Sequence, residues 1–485
     1  MAHHDLVIRN ATVIDGSGAP RYRADIAVTG SLITAIGRDL PSGTEELDAS
    51  GLIAAPGFID AHTHDDRLML SAPEMAPKVS QGVTTVVAGN CGISLAPAPK
   101  GMPKPVPPLD LLDGDGSWFR FSGFADYVEA LEAGPAATNC ALLVGHSSLR
   151  VQTMSDLNRP ATAAEQGEMR RLADEALAAG AIGISTGLYY EPAQAATTEE
   201  VIEVCRPLTA RGGLYCTHMR DEADDDVASL EETFRIGREL GVRVVVSHHK
   251  VAGLRNHGRS RETLALIDRC KKHQPIALDC YPYSASSTIL SYDRTLGASK
   301  TLVTWSRPHP EFAGMDVEAI AERMGKPVRE AVEALLPAGA IYFAMSEDDV
   351  RRILAFPDTM VGSDGLPHDA SPHPRLWGTF PRVLGHYARD MRLFPLETAV
   401  HKMTGLTARN YGLDDRGLIK EAMAADITLF DAATVGDAAT FESPIRAAHG
   451  IGTVLVNGEI VWREGRSTGA RPGKVLRFAQ SAHSG

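Results

Sequence analysis

The sequence predicts an α/β fold, a (β/α)8 TIM-like barrel that carries a small β-sandwich built from both ends of the chain. Eight short apolar runs through the middle of the chain are typical of parallel strands that are covered on both faces. Helical patterns separate most of these runs, and short strand patterns occur near each end. A chain of 485 residues is long enough for a barrel with an appendage.

Both ends of the chain consist of short strand patterns separated by turn signals. The N-terminal patterns are Leu6 to Arg9, Thr12 to Ile14, Asp25 to Val28, Ile33 to Ile36 and Gly51 to Ala54. The C-terminal patterns are Asp426 to Phe430, Ile451 to Val456 and Glu459 to Arg463. Neither end has enough strands to close a core alone. We therefore expect one β-sandwich domain from residues 1–56 and 417–485, and a barrel over 57–416.

The middle of the chain alternates between predicted strands and predicted helices. The strands are Leu52 to Asp60, Thr84 to Ala88, Ala141 to Gly145, Ile182 to Thr186, Leu214 to His218, Val242 to Ser247, Pro275 to Asp279 and Thr359 to Gly362. The helices are Phe124 to Glu132, Ala163 to Ala179, Thr198 to Arg211, Val227 to Leu240 and Arg261 to Lys272. Eight parallel strands with crossover helices imply a (β/α)8 barrel.

The connection between the seventh and eighth strands, about residues 284–346, is far longer than an ordinary barrel loop. It contains a helical pattern from Val317 to Leu336 and a polar approach that includes Ser287 and Arg294. An insertion of this size can form a lid over the barrel mouth.

The composition is that of a soluble globular protein, with 44% hydrophobic and 22% charged residues. A formal net charge of -13 argues against a nucleic-acid or anionic-membrane partner, because those surfaces need clustered lysine and arginine. The start has no signal-peptide pattern, and no long apolar stretch follows, so we expect a cytoplasmic protein. Its six cysteines lack the spacing of a disulfide framework. The sequence leaves the oligomeric state open.

Polar residues follow the predicted strands at the ends where a barrel gathers its functional groups. His62 and His64 follow strand one with a spacing that places both rings on one face. The others are Cys91 after strand two, His218 after strand five, His248 and Lys250 after strand six, Tyr281 and Tyr283 after strand seven, and Asp364 after strand eight. Singly, such residues are often core histidines, buried thiols or turn carboxylates. Together they predict a catalytic metal site, because imidazole and thiolate are ligands that zinc prefers.

The order of these segments resembles the amidohydrolase superfamily across nearly the whole chain, beginning with Asp60-Ala61-His62-Thr63-His64. Within it, several segments are similar to the D-aminoacylases, which are N-acyl-D-amino-acid deacylases. These segments are Gly89-Asn90-Cys91-Gly92, Tyr189-Tyr190-Glu191-Pro192, Thr217-His218-Met219-Arg220, Ser247-His248-His249-Lys250 and Gly362-Ser363-Asp364-Gly365. Cys91 together with Ser-His-His-Lys is the most specific of these signals, since other branches often use a carboxylated lysine where this group uses a cysteine.

The resemblance implies one tightly bound Zn²⁺ on Cys91, His218 and His248. His62 and His64, with Cys91 bridging, would form a second and weaker metal site, whose occupancy the sequence leaves open. Bound zinc makes a water molecule acidic near neutral pH and so supplies the nucleophile. The implied reaction is zinc-dependent hydrolysis of the amide bond of N-acyl-D-amino acids, a class of small molecules, and the D assignment rests on the resemblance alone.

Two further side chains are expected to act in this reaction. Asp364 on strand eight would accept a proton from the attacking water and return it to the departing amine. The Tyr190 hydroxyl would polarise the amide carbonyl and help to hold the developing oxyanion, together with the metal.

The product is a free amino acid, so the site must also bind a carboxylate. Lys250, two residues beyond His248, points to the same face and supplies a positive charge. By resemblance, the binders of the α-carboxylate are Lys250, Tyr281 or Tyr283, Ser287 and Arg375. Arg294 adds a cation near the side-chain pocket, which favours N-acyl-D-glutamate over N-acyl-D-leucine. Salt bridges to loop carboxylates are the alternative for Lys250 and Arg375, and a solvated arginine is the alternative for Arg294.

Two other functions compete with this hypothesis. A cyclic-amide hydrolase of the hydantoinase or dihydroorotase type would share the fold, but it usually needs a bridging lysine on strand four. That strand reads Gly183-Ile184-Ser185-Thr186-Gly187 and has no lysine. The second competing function is a catalytically silent barrel scaffold. Such a scaffold would not need an acid placed opposite a metal, so the presence of Asp364 argues against it.

Overall fold

The computed structural model describes residues 4–98 and 104–478. Its central feature is a parallel sheet of eight strands in sequential order. These barrel strands, numbered one to eight below, are Phe58–Asp60, Val83–Ala88, Asn139–Gly145, Gly183–Gly187, Leu214–His218, Val244–Val246, Ile276–Cys280 and Thr359–Val361. The Ala61 amide donates to the Val361 carbonyl at 3.2 Å and the Asp364 amide to the His62 carbonyl at 2.8 Å, so strand eight returns to strand one. The predicted barrel is confirmed.

Apolar side chains cover both faces of these strands. The barrel interior is packed with Ile59, Val87, Leu143, Leu214, Val245, Ala277 and Met360 from seven of the strands, and with Ile182, which directly precedes strand four. Residues on the alternate positions, such as Val86, Leu142 and Ile184, pack against the surrounding helices. The interior is therefore a solid core, and open space for a ligand is left only at the ends of the strands.

Helices surround the barrel and follow its strands. Those before the insertion are Leu68–Ser71, Ala76–Val79, Phe124–Ala133, His146–Thr153, Ala163–Ala178, Glu191–Gln194, Thr198–Cys205, Pro207–Arg211, Asp226–Leu240 and Ser260–Cys270. Those from the insertion onward are Tyr292–Leu296, Val317–Met324, Val328–Leu335, Glu347–Ala355, Arg375–Arg382, Leu396–Met403 and Gly405–Tyr411, with a π-helical stretch at Val383–Asp390. No helix within the described part of the chain combines the length and the apolar character that crossing a membrane requires.

The strands at the two ends of the chain join in one sheet of nine strands. They are His4–Val13, Tyr22–Thr29, Leu32–Gly37, Gly43–Asp48, Ile53–Pro56, Ile427–Phe430, Ile451–Val456, Glu459–Arg463 and Arg466–Ser467. Strand Ile53–Pro56 pairs with Ile427–Phe430, which joins the two ends. A last strand, Val475–Leu476, instead pairs with barrel strand three. The separate terminal sheet agrees with the prediction, and the exact domain bounds stay a prediction.

Three predicted elements are interrupted in the structure. The first predicted strand splits at Gly57, where a Cβ would lie 2.2 Å from the Thr84 side chain, so the chain can pass from the terminal sheet into the barrel only with glycine. The helix predicted over 198–211 breaks before Pro207, which has no N–H for a helical hydrogen bond. The helix predicted over 317–336 becomes two helices because Pro327 disfavours a helical residue before it.

The insertion between strands seven and eight is a small layer with its own core. It contains a three-stranded antiparallel sheet of Ser286–Ile289, Thr301–Ser306 and Ala338–Tyr342. The apolar residues between this sheet and its two helices include Val303, Ile320, Val332 and Leu335. The first strand and the adjoining helix Tyr292–Leu296 bring the insertion to the barrel mouth.

Candidate metal centre

Cys91, His218 and His248 converge from three barrel strands. The Cys91 sulfur lies 3.2 Å from His248 Nε2 and 3.8 Å from His218 Nδ1. The three side chains are buried. Glycine at position 187 permits this approach, since a Cβ there would lie 2.1 Å from the Cys91 carbonyl oxygen. The structure brings together the three residues of the predicted tight metal site.

His62, His64 and Asp364 form the adjoining half of the cluster. His62 Nε2 lies 3.3 Å from the Cys91 sulfur and 3.7 Å from Asp364 Oδ1. His64 Nε2 lies 3.2 Å from the same carboxylate oxygen. The donor atoms of His62, Cys91, His248 and Asp364 all lie within 4.8 Å of one another. One or two ions could therefore share these groups.

The chemistry of these donors fits zinc. Burial lowers the pKa of His62 to about 3 and holds the pKa of His218 well below its usual value, so both rings are neutral and can offer a lone pair. Burial also raises the pKa of the Cys91 thiol, which a metal cation would reverse by taking the thiolate as a ligand. Imidazole nitrogen with thiolate sulfur is a set that zinc prefers.

The backbone is left-handed at three of these positions. The φ angle is 53° at Cys91, 36° at His248 and 49° at Asp364, a region that side chains other than glycine seldom adopt. Each residue of this kind costs about 1–3 kcal/mol unless the surroundings hold it. Backbone strain at three neighbouring positions supports the hypothesis that this cluster is a functional site.

Asp364 forms a buried ion pair with Arg375, which is the kind of salt bridge that the sequence left as the alternative for Arg375, with a partner that the sequence did not name. Arg375 Nη1 lies 2.9 Å from Asp364 Oδ2, and Nη2 donates to the Ser287 carbonyl oxygen at 3.1 Å. Burial alone would raise the pKa of Asp364, but the guanidinium and the histidines hold it well below its usual range. The carboxylate is therefore ionised at neutral pH.

Lys250 lies beside the cluster and contacts a carboxylate. Its Nζ donates to Glu222 Oε1 at 2.8 Å, which is the salt bridge that the sequence left as an alternative. Glu222 itself is buried in the loop after strand five, and sequence reasoning missed it because an acidic residue in a loop is ordinarily solvated. Its position four residues after His218 was the available signal.

The two predicted tyrosines of strand seven lie in different surroundings. Tyr281 lines the cavity in front of the histidines, and the Arg375 guanidinium lies 4.5 Å from the centre of its ring. The Tyr283 ring instead packs against His373 and Arg382. Among the described residues, neither hydroxyl has a hydrogen-bond partner. Tyr281 is thus the tyrosine that faces the cluster.

Tyr190 lies against His218, with 4.8 Å between the ring centres. Its hydroxyl is within 2.9 Å of Thr288 Oγ1 on the insertion. Burial raises the pKa of Tyr190 well above its usual value, so the hydroxyl keeps its proton and can donate it.

Arg294 stands between two cavities. Its guanidinium stacks 4.0 Å from the centre of the Tyr189 ring, and Nε donates to the Tyr189 hydroxyl at 2.8 Å. The inner cavity, about 20 Å³, is lined by His64, His218, His248, Tyr190, Tyr281, Ser287 and Asp364. Leu111 also lines it, from a loop that sequence reasoning did not assign to the site. The outer cavity, about 450 Å³, is lined by Leu254, Leu296 and Tyr342 among others, and Glu222, Ser286 and Arg294 border both. Residues of the insertion therefore border both cavities, and its role as a lid stays a prediction.

A fully buried lysine supports the cluster from behind. Lys78 Nζ donates to Asp60 Oδ2 and to Ser363 Oγ, both at 2.8 Å, and lies 3.2 Å from Asp65 Oδ2. Asp60 Oδ1 accepts from the Ser363 amide at 2.7 Å. Lys78 thereby ties the segment that carries His62 to the segment that carries Asp364.

Replacing Lys78 with methionine is expected to lower the free energy of unfolding by about 3–5 kcal/mol, because two buried carboxylates would lose their counter-charge. The two carboxylates outweigh burial and raise the pKa of Lys78, so it is charged at neutral pH. Urea denaturation would measure the change. The same replacement at exposed Lys420 should alter stability by less than about 0.5 kcal/mol. A Lys78→Met protein as stable as the Lys420 control would contradict this account.

Comparisons with known proteins give consistent similarities. A model described as the amidohydrolase family matches residues 45–271 and 304–462. The D-aminoacylase of Alcaligenes xylosoxydans xylosoxydans is 60% identical over 97% of this chain and 97% of its own length. The N-acyl-D-aspartate deacylase of the same organism is 54% identical over 98% of this chain and 95% of its own length.

Solved structures show the same similarity. The crystal structure of the N-acyl-D-glutamate deacylase from Bordetella bronchiseptica, complexed with zinc and a phosphonate mimic of the tetrahedral intermediate, matches with a TM-score of 0.94. It is 47% identical, over 98% of this chain and 100% of that one. A dihydropyrimidinase from Brevibacillus agri, at 17% identity over 98% of both chains and a TM-score of 0.61, shares the fold alone.

Proposed function

This chain belongs to the amidohydrolase family, and from that premise we propose that it is a zinc-dependent hydrolase of N-acyl-D-amino acids. The products would be a carboxylate and a free D-amino acid. The observation that carries this proposal is the approach of the His218 and His248 ring nitrogens to the Cys91 sulfur, at 3.8 and 3.2 Å. An Asp364 oxygen lies within 4.8 Å of the donor atoms of Cys91 and His248. The similarity to D-amino-acid deacylases along nearly the whole chain supports the substrate class.

Cys91, His218 and His248 would hold one zinc ion tightly, and His62 and His64, with Cys91 bridging, would form a second and weaker site. When bound, zinc supplies a positive charge that polarises the amide carbonyl and makes a water molecule more acidic. The neutral state of the buried histidines supports this assignment, because only the unprotonated ring can act as a ligand.

Asp364 would accept a proton from the attacking water and return it to the amine nitrogen as the C–N bond breaks. Arg375 holds the pKa of Asp364 low, so the carboxylate is ionised at neutral pH and can accept a proton. Once protonated, the carboxyl group is acidic enough to give the proton to the more basic amine. Tyr190, protonated and buried beside His218, would donate a hydrogen bond to the carbonyl oxygen as negative charge develops there.

The site would also bind the α-carboxylate of the substrate. Tyr281 and Ser287 have buried hydroxyls that lack a hydrogen-bond partner within the described parts of the chain, which supports a role as donors. Lys250 and Arg375 supply positive charge nearby, although each already contacts a carboxylate. Tyr283 is a weaker candidate than Tyr281, since its ring lies against Arg382.

Arg294 would select an acidic side chain, so we propose N-acyl-D-glutamate as the preferred substrate. Within residues 4–98 and 104–478, the two terminal nitrogens of Arg294 have no hydrogen-bond or ion-pair partner. Its Nε donates to the Tyr189 hydroxyl. The leucines of the outer cavity wall favour the competing preference, N-acyl-D-leucine. Comparing kcat/KM for N-acetyl-D-glutamate and N-acetyl-D-leucine decides between them.

Replacing Arg294 with leucine is expected to lower kcat/KM for N-acetyl-D-glutamate by at least about tenfold, with little change for N-acetyl-D-leucine, because a buried charge pair is lost. Arg255→Leu is the matched control, since Arg255 also borders the outer cavity but donates to Asp224 at 2.8 Å. Equal losses on the two substrates would contradict a role in side-chain recognition.

The experiment that tests the proposed function starts from protein purified without added metal. We expect about one zinc per chain, hydrolysis of N-acetyl-D-amino acids in preference to their L-enantiomers, and no opening of hydantoin. Metal-free protein with full activity would contradict the zinc assignment. Hydantoin opening would favour the cyclic-amide alternative, and zinc binding without any amide hydrolysis would favour a silent scaffold.

We also propose that the enzyme works in the cytoplasm on small molecules, without a nucleic-acid or membrane partner. Its net charge of -13 supports this, because a polyanion would be repelled. Residues 1–56 with 417–485 would form the β-sheet domain and 57–416 the barrel, with 284–346 as lid. The sequence leaves an oligomer open, and sedimentation equilibrium would determine the oligomeric state.

A further inference from the structure

Glu222 lies behind two of the candidate zinc ligands. Its side chain is 6% exposed and extends from the loop after barrel strand five. Oε1 lies 3.0 Å from His248 Nδ1, and Oε2 lies 3.5 Å from His218 Nε2. One buried carboxylate therefore faces the rings of two histidines that come from different strands.

The ring nitrogens that face Glu222 are those that face away from Cys91. His248 turns Nε2 toward the Cys91 sulfur and Nδ1 toward Glu222, whereas His218 turns Nδ1 toward the sulfur and Nε2 toward Glu222. A neutral imidazole carries one N–H and one lone pair. An acceptor behind each ring keeps the proton there, and both lone pairs then point to the side where Cys91 lies.

Lys250 brings a third donor to the same carboxylate. Its Nζ lies 2.8 Å from Glu222 Oε1 and 2.8 Å from His248 Nδ1. An ammonium group only donates, so Lys250 would compete for the Nδ1 lone pair of His248 and leave the ring proton on Nε2. Glu222 Oε1 is the acceptor that can take the Lys250 N–H instead, so that Nδ1 can carry the proton. A carboxylate oxygen is such an acceptor, and a neutral amide in the same place would be less able to balance the Lys250 charge.

We propose that Glu222 is a positioning residue that sets the proton tautomer and ring orientation of His218 and His248 and holds Lys250 beside them. This inference rests on the proposed function, since it assigns the two histidines to zinc. Glu222 borders both cavities, and its carboxylate lies within 4.8 Å of a nitrogen of each histidine, on the side of the rings that faces away from Cys91. In this assignment it acts on the rings and leaves the zinc ligation to Cys91, His218 and His248. Its effect would reach the reaction through the affinity and geometry of the zinc site.

The variant Glu222→Gln tests this directly, because it keeps the shape of the side chain and removes its charge. We expect its zinc Kd, measured on the holoprotein by competition with a chromophoric chelator, to rise by about 10–100-fold, the usual effect of losing a partner behind a metal-bound histidine. With zinc at saturation, kcat should fall while KM for the N-acyl-D-amino acid stays within about threefold. The Co²⁺-substituted protein should show a changed visible absorption, which reports ligand geometry.

Two further variants make the test decisive. Glu222→Asp keeps the charge and withdraws the carboxylate by one methylene, so its zinc Kd should rise by less than that of Glu222→Gln. Glu232→Gln is the matched control, because Glu232 accepts from Arg220 at 2.9 Å and lies outside the cluster. It should leave zinc Kd and the cobalt absorption unchanged.

The outcomes that would overturn the inference are distinct from failure of the proposed function. A zinc Kd within threefold of wild type in both Glu222 variants would overturn it, even if their stability falls. Loss of a whole zinc equivalent at saturating zinc would also overturn it, since Glu222 would then be a ligand. A wild-type protein that binds zinc but hydrolyses no amide would refute the proposed function and leave the Glu222 measurement intact.

Discussion

Replacing Asp364 with asparagine is expected to lower kcat by roughly 10²–10⁴-fold while zinc stays bound, the range that a positioned acid or base contributes. Asparagine has nearly the same shape but cannot take a proton from water or return one to the amine. The proposed ligand atoms of Cys91, His218 and His248 are left in place, so the change should lower turnover. Steady-state kinetics with N-acetyl-D-amino acids and zinc analysis of the same preparation would measure both.

The loss of the Asp364 charge also leaves Arg375 buried without a counter-ion, so the variant should be less stable. Asp426→Asn controls for this effect, because Asp426 is a buried carboxylate paired with Arg416 in the terminal sheet. We expect that control to lose stability with kcat per folded protein unchanged. Near-normal turnover of folded Asp364→Asn would rule out the proton-transfer role.

Replacing Cys91 with alanine is expected to abolish tight zinc binding and to lower kcat/KM by more than 100-fold. Cys91 would supply the sulfur ligand of the proposed tight site, and its sulfur lies within 3.3 Å of the ring nitrogens of His62 and His248. Its loss should exceed the roughly 10–100-fold effect of removing a partner behind a ligand. Zinc content after dialysis, followed by assay with and without added zinc, would measure both effects.

Cys140→Ala is the control for Cys91→Ala, since Cys140 is a buried thiol on barrel strand three that lies outside the cluster. It should keep its zinc and its activity, apart from a modest loss of stability for the smaller side chain. A Cys91→Ala protein that still holds one zinc through dialysis would contradict the assignment of the tight site.

Much of the barrel could be predicted because strand patterns are local. The run Leu214–His218 has the same bounds in the sequence pattern and in the structure, and most other strands differ by one or two residues. The errors occur where one residue changes the path of the chain, as at Gly57, Pro207 and Pro327. The three-stranded sheet of the insertion was not predicted, because its short strands gain their stability from packing within that layer.

Some residues of the candidate site could be predicted from the sequence and others could not. Residues that end a strand could be read from the sequence, since the end of an apolar run marks its place at the barrel mouth. Lys78 could not, because nothing in its local sequence shows that it is buried, and for Glu222 the one signal was its place four residues after His218. The choice between Tyr281 and Tyr283 also depended on the ring neighbours, which lie far away in the chain.

The sequence by itself determined the barrel, the terminal sheet and the set of imidazole, thiolate and carboxylate groups at the strand ends, because periodicity and strand ends are properties of neighbouring residues. Only the tertiary structure decided which groups pair: Asp364 with Arg375, Lys250 with Glu222, and Lys78 with Asp60. Pairing depends on distances between segments that the fold alone brings together. In a buried site those distances also determine which groups are charged.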